Sequence, residues 1–421
     1  MLAMGETQLP KNEFVREQIK NKPKNKKRLL VKLCVSALCG IVFALSACAT
    51  MLLMLPTIQK RQPVAETEDT QDTEVLAETE VTQEPPSTEK NIESVMSEVT
   101  LEDYQRLQNE MYAIGNQANK SIVGITSVVS DTDWFNNSYE REGLGSGAII
   151  GETSGAYLIM TERKVIREAS RISVTFIDES VATASLVKYD GNTGIAILSV
   201  EKSELEKTTK ADIAVIPMGN SNTVHKGTLI LALGSPLGTN YSILTGNITA
   251  TNNEISTLDC NYSVFTTDIV ASPNGSGILI NTEGELVGIV MQDYSASSAN
   301  TLTAVSVSEL QQVIDLLFDG KDVPYLGIYV STVTDKIANT YDLPKGVYIK
   351  QVKVDSPAMN AGLQSGDVIV EIAGEELTSD SSYAKVVRNM TIGESYPVVV
   401  MRQGSSGYTK INCNVEPGVL Q

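Results

Sequence analysis

The chain has 421 residues, is 42% hydrophobic and 5% aromatic, and carries a formal net charge of -18, which suits two folded units with ancillary segments better than one domain. Residues 1–32 hold nine Lys or Arg against three Glu, while the body that follows is acidic and has no basic patch, which excludes nucleic acid as a partner. His225 is the only histidine and there is no Cys/His cluster, so no metal site and no cofactor is expected.

Taken in chain order, the basic head (residues 1–32) precedes an uncharged apolar run, 33–55, rich in Leu, Ala, Val and Met. That length spans a bilayer as one helix, and the Lys/Arg bias before it places the N-terminus in the cytoplasm and the bulk of the chain outside the cell membrane, as a single-pass protein. A cleaved signal peptide and a lipoprotein signal at Leu45-Ser46-Ala47-Cys48 are the alternatives for this stretch. Three of the five cysteines lie in it, and Cys260 and Cys413 stand far apart, so no disulfide framework is implied. Residues 56–103 form an acidic linker, with thirteen acids against one Lys between Val64 and Asp103, too polar to bury a core of its own.

Leu101, Tyr104, Leu107, Met111 and Ile114 recur at helical spacing. From Ser121 to about Asn300 the period changes to short Val/Ile/Thr-rich runs such as Ser121–Val129, Tyr157–Thr161, Ile195–Val200 and Thr228–Gly234, separated by Gly, Asn, Asp and Pro. This is the pattern of an all-β barrel or sandwich. Val307–Phe318 reads as a helix closing that region, and residues 324–416 form a small α+β unit with a helix near Ser381–Arg388.

Several motifs then fall into a known order. Gly145-Ser146-Gly147, Tyr157-Leu158-Ile159-Met160-Thr161, Gly219-Asn220-Ser221, Leu233-Gly234-Ser235-Pro236 and Pro273-Asn274-Gly275-Ser276-Gly277 resemble the landmarks of the HtrA (Deg) family of trypsin-like serine proteases. The resemblance runs from about residue 110 to 416, because the second unit is similar to the PDZ domain of that family. It implies a mainly β fold, a trypsin-like double six-stranded β-barrel (104–319) followed by an α+β PDZ domain (324–416); the apolar run 33–55 places one transmembrane helix before them.

Acyl transfer needs a nucleophile, a base, a carboxylate that orients the base, and N–H groups for the oxyanion. The motif match puts Ser276 at the nucleophile position, with Asn274, Gly275 and Ser276 as the oxyanion-hole segment. The family histidine falls on Lys164, within Thr161-Glu162-Arg163-Lys164-Val165, and the family aspartate falls on Gly194, within Gly194-Ile195-Ala196-Ile197-Leu198. Asp190, four residues earlier, reads as a turn residue, and His225 lies in a polar turn. The expected chain is therefore a pseudoprotease. The alternative is an active serine endopeptidase in which Lys164, desolvated, serves Ser276 as base.

In the second unit Tyr325-Leu326-Gly327-Ile328 resembles the carboxylate-binding loop of PDZ domains, and Ser356-Pro357-Ala358 with Gly366-Asp367-Val368-Ile369 resembles their core block. The partners so implied are polypeptide C-termini or unfolded segments, captured by strand addition. The role so implied is a scaffold, regulator or chaperone in envelope protein quality control, as a homotrimer if the family habit holds.

Overall fold

A computed structural model describes residues 100–132, 138–295 and 300–420, all within one compact unit, Asn91–Gln421. The basic head, the apolar run 33–55 and the linker up to residue 99 lie outside the described residues. Among the described residues no helix is long and apolar enough to cross a membrane.

Helix α1 (Leu101–Asn119) starts at Thr100, whose side chain caps the Asp103 N–H while Asp103 caps Thr100 in return. It therefore begins three residues before the expected domain start at 104. Its apolar stripe splits in two: Met111 and Ala118 are buried, whereas Leu101, Tyr104 and Leu107 are 71%, 56% and 48% exposed. Helical spacing marks an apolar face without saying whether a partner covers it.

The first barrel comprises β1 (Ile122–Thr132), β2 (Ser138–Glu152), β3 (Ala156–Glu162), β4 (Arg171–Thr175), β5 (Val181–Tyr189) and β6 (Ile195–Glu201), closed in the order β1-β2-β3-β6-β5-β4. The short helices α2 (Arg163–Ile166) and α3 (Lys207–Asp212) follow β3 and β6. The second barrel comprises β7 (Leu229–Ser235), β8 (Ser242–Thr257), β9 (Cys260–Val270), β10 (Ser276–Ile280), β11 (Leu286–Val290) and β12 (Thr301–Ser306), closed as β10-β11-β12-β9-β8-β7. The double six-stranded barrel expected from sequence is thus present. Strand β4 alternates exposed and buried side chains, while β3 and β11 are buried throughout, as strands packed on both faces must be.

Each barrel encloses its own core, Ile125, Ile159 and Leu198 in the first and Ile230, Phe265 and Leu279 in the second. A further core joins the two barrels, with Leu158, Ile197, Leu231 and Ile278 meeting Leu310, Val313 and Leu317 of α4 (Val307–Phe318). Each fully buried leucine there contributes about 1.5–3 kcal/mol.

The last unit comprises β13 (Pro324–Tyr325), β14 (Ile328–Val333), α5 (Asp335–Tyr341), β15 (Gly346–Val352), α6 (Pro357–Asn360), β16 (Val368–Ile372), β17 (Glu375–Glu376), α7 (Asp380–Arg388), β18 (Tyr396–Gly404), β19 (Gly407–Val415) and β20 (Gly418–Val419). Its main sheet runs β14-β15-β16-β18-β19 over a core that includes Leu326, Ile349, Ile369, Tyr383 and Val398. Asp367, 1% exposed, takes a two-pronged ion pair from Arg402, Nε at 2.6 Å and Nη2 at 2.7 Å. It also accepts the Gln364 N–H at 2.9 Å, so the buried charge is fully bonded.

Candidate active site

The cleft lies where β2 packs against β7 and β10. Ser276, first residue of β10, stands opposite Ser235 of β7 and is 2% exposed. Its Oγ accepts the backbone N–H of Ser146 at 3.0 Å and lies 3.1 Å from the Ser146 hydroxyl. Ser146 is itself pinned, since its carbonyl accepts the Thr161 hydroxyl at 3.1 Å. Among the described residues no lysine, histidine or carboxylate is hydrogen-bonded to the Ser276 hydroxyl. At Gly277, φ is +137° and a Cβ would stand 1.9 Å from the Leu233 carbonyl oxygen, so only glycine lets β10 approach β7 this closely.

The loop before Ser276 folds on itself. The Gly275 N–H donates to the Ser272 carbonyl at 2.8 Å and the Asn274 N–H to the Ser272 hydroxyl at 3.4 Å. These two N–H groups, expected to face an oxyanion, are used inside their own turn.

Lys164, on α2, faces two carboxylates. Its Nζ lies 2.7 Å from Glu162 and 3.3 Å from Asp293. Burial pushes the Lys164 pKa down, but Glu162 and Asp293 outweigh it and the net shift is upward. Burial dominates at Glu162 and pushes it up to about 7 against the pull of Lys164, and its Oε1 is buried with no hydrogen-bond partner. The two groups differ because Glu162 is nearly sealed while Lys164 reaches solvent and has a second carboxylate. Together with Arg163, Arg167, Asn192 and Tyr294 they line a cleft of about 250 Å³.

Gly194 sits in the turn before β6, its N–H donating to the Asp190 carbonyl at 3.0 Å and its carbonyl accepting the Arg163 N–H at 2.7 Å. A Cβ there would meet no atom within 4 Å, yet φ is +78°, which disfavours any side chain. Asp190 accepts the Asn192 and Thr193 N–H groups and the Thr193 hydroxyl at 3.1, 3.0 and 2.7 Å, a turn-holding set of bonds. His225 is exposed in the turn before β7, its N–H bonded to Thr228 at 2.9 Å.

The second candidate site is the loop Tyr325–Ile328. Tyr325 pairs with Gly418 in the β13–β20 ribbon, and the Leu326 and Ile328 side chains are fully buried in the core. Their backbone N–H groups and that of Gly327 converge on one carboxylate, that of Asp259, at 2.7, 2.8 and 3.2 Å for Leu326, Gly327 and Ile328. The Tyr383 hydroxyl adds a fourth donor at 2.6 Å. Burial raises the Asp259 pKa, while Tyr383 and the three N–H groups pull it down.

Sequence reasoning passed over Ser146 as a partner of Ser276, Asp293 as a partner of Lys164, and Asp259. Ser146 lay inside a recognised motif. The other two carry no local signal, because their partners are 129 residues away (Asp293–Lys164) and 67 residues away (Asp259–Leu326).

Comparison with known proteins follows the same division. Residues 145–289 match a trypsin-like peptidase domain and residues 324–413 a PDZ domain. The serine protease Do-like HtrB of Bacillus subtilis (strain 168) is 30% identical over 317 residues, 68% of this chain and 67% of that relative. The chain belongs to the HtrA family of trypsin-like serine proteases. A second HtrA relative, the probable periplasmic serine endoprotease DegP-like of Marinomonas sp. (strain MWYL1), is 32% identical over 284 residues, 66% of this chain. The chain spans only 58% of that relative's length. Among solved structures, the HtrA-type protease AlgW with decapeptide shares the fold at a TM-score of 0.54 and 23% identity, over 74% of this chain and 99% of that one. In this HtrA chain the three residues at expected triad positions come from β10, α2 and the turn before β6. Among the described residues none of the three is hydrogen-bonded to another.

Proposed function

We propose that this HtrA-family chain is a pseudoprotease that binds polypeptides through its PDZ groove and acts as a scaffold, regulator or chaperone-like factor in envelope protein quality control. One observation carries the reading: among the described residues the Ser276 hydroxyl is bonded to Ser146 alone, while Lys164 is held by Glu162 and Asp293. A serine attacks only if a neutral base accepts its proton. Lys164, beside two carboxylates and with its pKa raised, keeps its own proton.

The same reading assigns Ser276, Lys164 and Gly194 to the nucleophile, histidine and aspartate positions, Asn274 to Ser276 to a closed oxyanion segment, and Tyr325 to Ile328 to carboxylate capture. It also retains the layout of a basic cytoplasmic segment (1–32), a membrane span (33–55), an acidic linker (56–103), the protease-like domain (104–319) and the PDZ domain (324–416). Relatives named as periplasmic enzymes support an extracytoplasmic location. The apolar face of Leu101, Tyr104 and Leu107 offers a contact for the homotrimer that family resemblance implies.

The competing reading is an active endopeptidase. Its support is the retained Ser276 and the protease names of the relatives. A fluorophosphonate probe separates the two. The full chain is expected to show no labelling beyond that of Ser276→Ala and no digestion of an unfolded casein substrate, whereas labelling and digestion that both vanish in Ser276→Ala establish the protease.

A further inference from the structure

The loop that is shaped to hold a carboxylate already holds one from its own chain. Strands β8 and β9 form a hairpin that turns through Leu258 and Asp259, with Thr257 opposite Cys260. Asp259 takes φ 61°, a left-handed turn conformation that Asp tolerates better than most residues. Its Oδ2 accepts the N–H groups of Leu326 and Gly327, and its Oδ1 accepts the Ile328 N–H and the Tyr383 hydroxyl. The Asp259 N–H then donates to the Ile328 carbonyl at 2.7 Å. Two residues on, the Asn261 amide reaches the Val330 carbonyl at 3.4 Å and the Asp380 carboxylate at 2.6 Å. The hairpin tip therefore lies between β14 and α7, along the sheet edge where an extended peptide adds as a strand.

Burying a carboxylate costs several kcal/mol unless donors replace its water. A hairpin turn does not require that burial. Four donors converging on Asp259 form a complete anion nest, of the kind backbone N–H groups build for terminal carboxylates.

The direction of the chain shows how firmly this occupant is held. Asp259 faces Ile328 and Asn261 faces Val330, so the bonded arm of the hairpin runs parallel to β14. A polypeptide C-terminus with its carboxylate in the loop must run from Val333 toward Ile328, antiparallel to β14. The hairpin makes one backbone rung, and a side-chain amide stands in for the next. A C-terminal segment can present the same carboxylate and complete the ladder.

We infer that Asp259 is an internal ligand of the carboxylate loop: the groove is closed by the chain's own hairpin, and a polypeptide C-terminus binds by displacing it. This rests on the proposed reading of the groove as a peptide site. Asn192, bonded to the Leu258 carbonyl at 2.7 Å and to its N–H at 3.1 Å, ties the hairpin to the first barrel independently of Asp259, so loss of the carboxylate leaves the hairpin anchored.

The test uses the full chain, as wild type, Asp259→Ala and Asp259→Asn, checked for folding by circular dichroism. The probes are fluorescent decapeptides ending in each apolar residue, with a free C-terminal carboxylate or with a C-terminal amide. If the closed form outweighs the open one by about ten to one, wild-type affinity is reduced about tenfold. Both variants are then expected to bind free-carboxylate peptides at least tenfold more tightly than wild type, and amidated peptides weakly or not at all. Hydrogen exchange at Leu326, Gly327 and Ile328 reads the contact itself and is expected to accelerate in both variants. Equal peptide affinity in all three proteins, or unchanged exchange, overturns the inference while leaving the groove a peptide site. Faster exchange with no binding of any peptide by any form defeats the peptide-site reading and the competition with it.

Discussion

Two loops of this molecule use their backbone N–H groups in opposite ways. In the barrel cleft the Gly275 N–H donates to the Ser272 carbonyl and the Asn274 N–H to the Ser272 hydroxyl, so both donors are used within their own turn. In the PDZ unit the N–H groups of Leu326, Gly327 and Ile328 still converge on one carboxylate. A collapsed hole keeps its donors satisfied without a ligand, whereas an open one must be filled, by water, by a partner or by the chain itself. In the PDZ unit the donors face a carboxylate from elsewhere in the chain, whereas in the barrel cleft they face their own turn.

The most damaging way to break the PDZ side is Asp367→Ala, which leaves Arg402 with the Gly362 carbonyl alone and the Gln364 N–H without its acceptor. We expect about 2–4 kcal/mol of lost stability in that unit from the lost charge-assisted bonds, read as an earlier unfolding transition in denaturant. Milder replacement by Asn is expected to cost less.

On the cleft side the sharper probe is pH. Glu162 titrates at about 7 in the folded chain against 4.5 as its unperturbed value, so between those values the folded state holds a proton that the unfolded state has released. Its contribution to stability is complete below about pH 4.5 and is lost as pH rises through about 7, a swing of up to about 3 kcal/mol. Glu162→Gln is expected to remove that slope, seen in urea midpoints measured across the window. An unchanged slope would mean that Glu162 is ionised and paired throughout.

The smallest expected effect is itself diagnostic. Rebuilding the triad by combining Lys164→His and Gly194→Asp is expected to give no hydrolysis of a casein substrate. Ser276 remains bonded to Ser146, the Gly275 N–H remains turned away, and Asp at position 194 must hold φ +78°, which is strained for a side chain even though the space around it is open. Measurable hydrolysis from those two substitutions alone would show that the cleft is less collapsed than its hydrogen bonds indicate.

The landmarks of both domains could be read from sequence because Gly, Ser and Pro motifs fix local backbone shape, and the helix at Val307–Phe318 followed from apolar spacing. Strand β8 was harder to see. Much of its length, around Asn252, Asn253 and Glu254, is polar and exposed, and its place comes from pairing with β7 and β9 rather than from local propensity. The partners of the site residues were illegible for the same reason. Ser146 and Ser276 are 130 residues apart, and only closure of both barrels brings them together. Leu101, Tyr104 and Leu107 had the right period for a helix and no signal for what covers them.

Cys260 follows Asp259 directly and is only 9% exposed, with its sulfur 3.0 Å from the Arg388 guanidinium. Displacement of the hairpin tip would move this neighbouring thiol away from Arg388. Under the proposed displacement, Cys260 alkylation is expected to speed up when a free-carboxylate peptide is added, compared with the same protein without peptide.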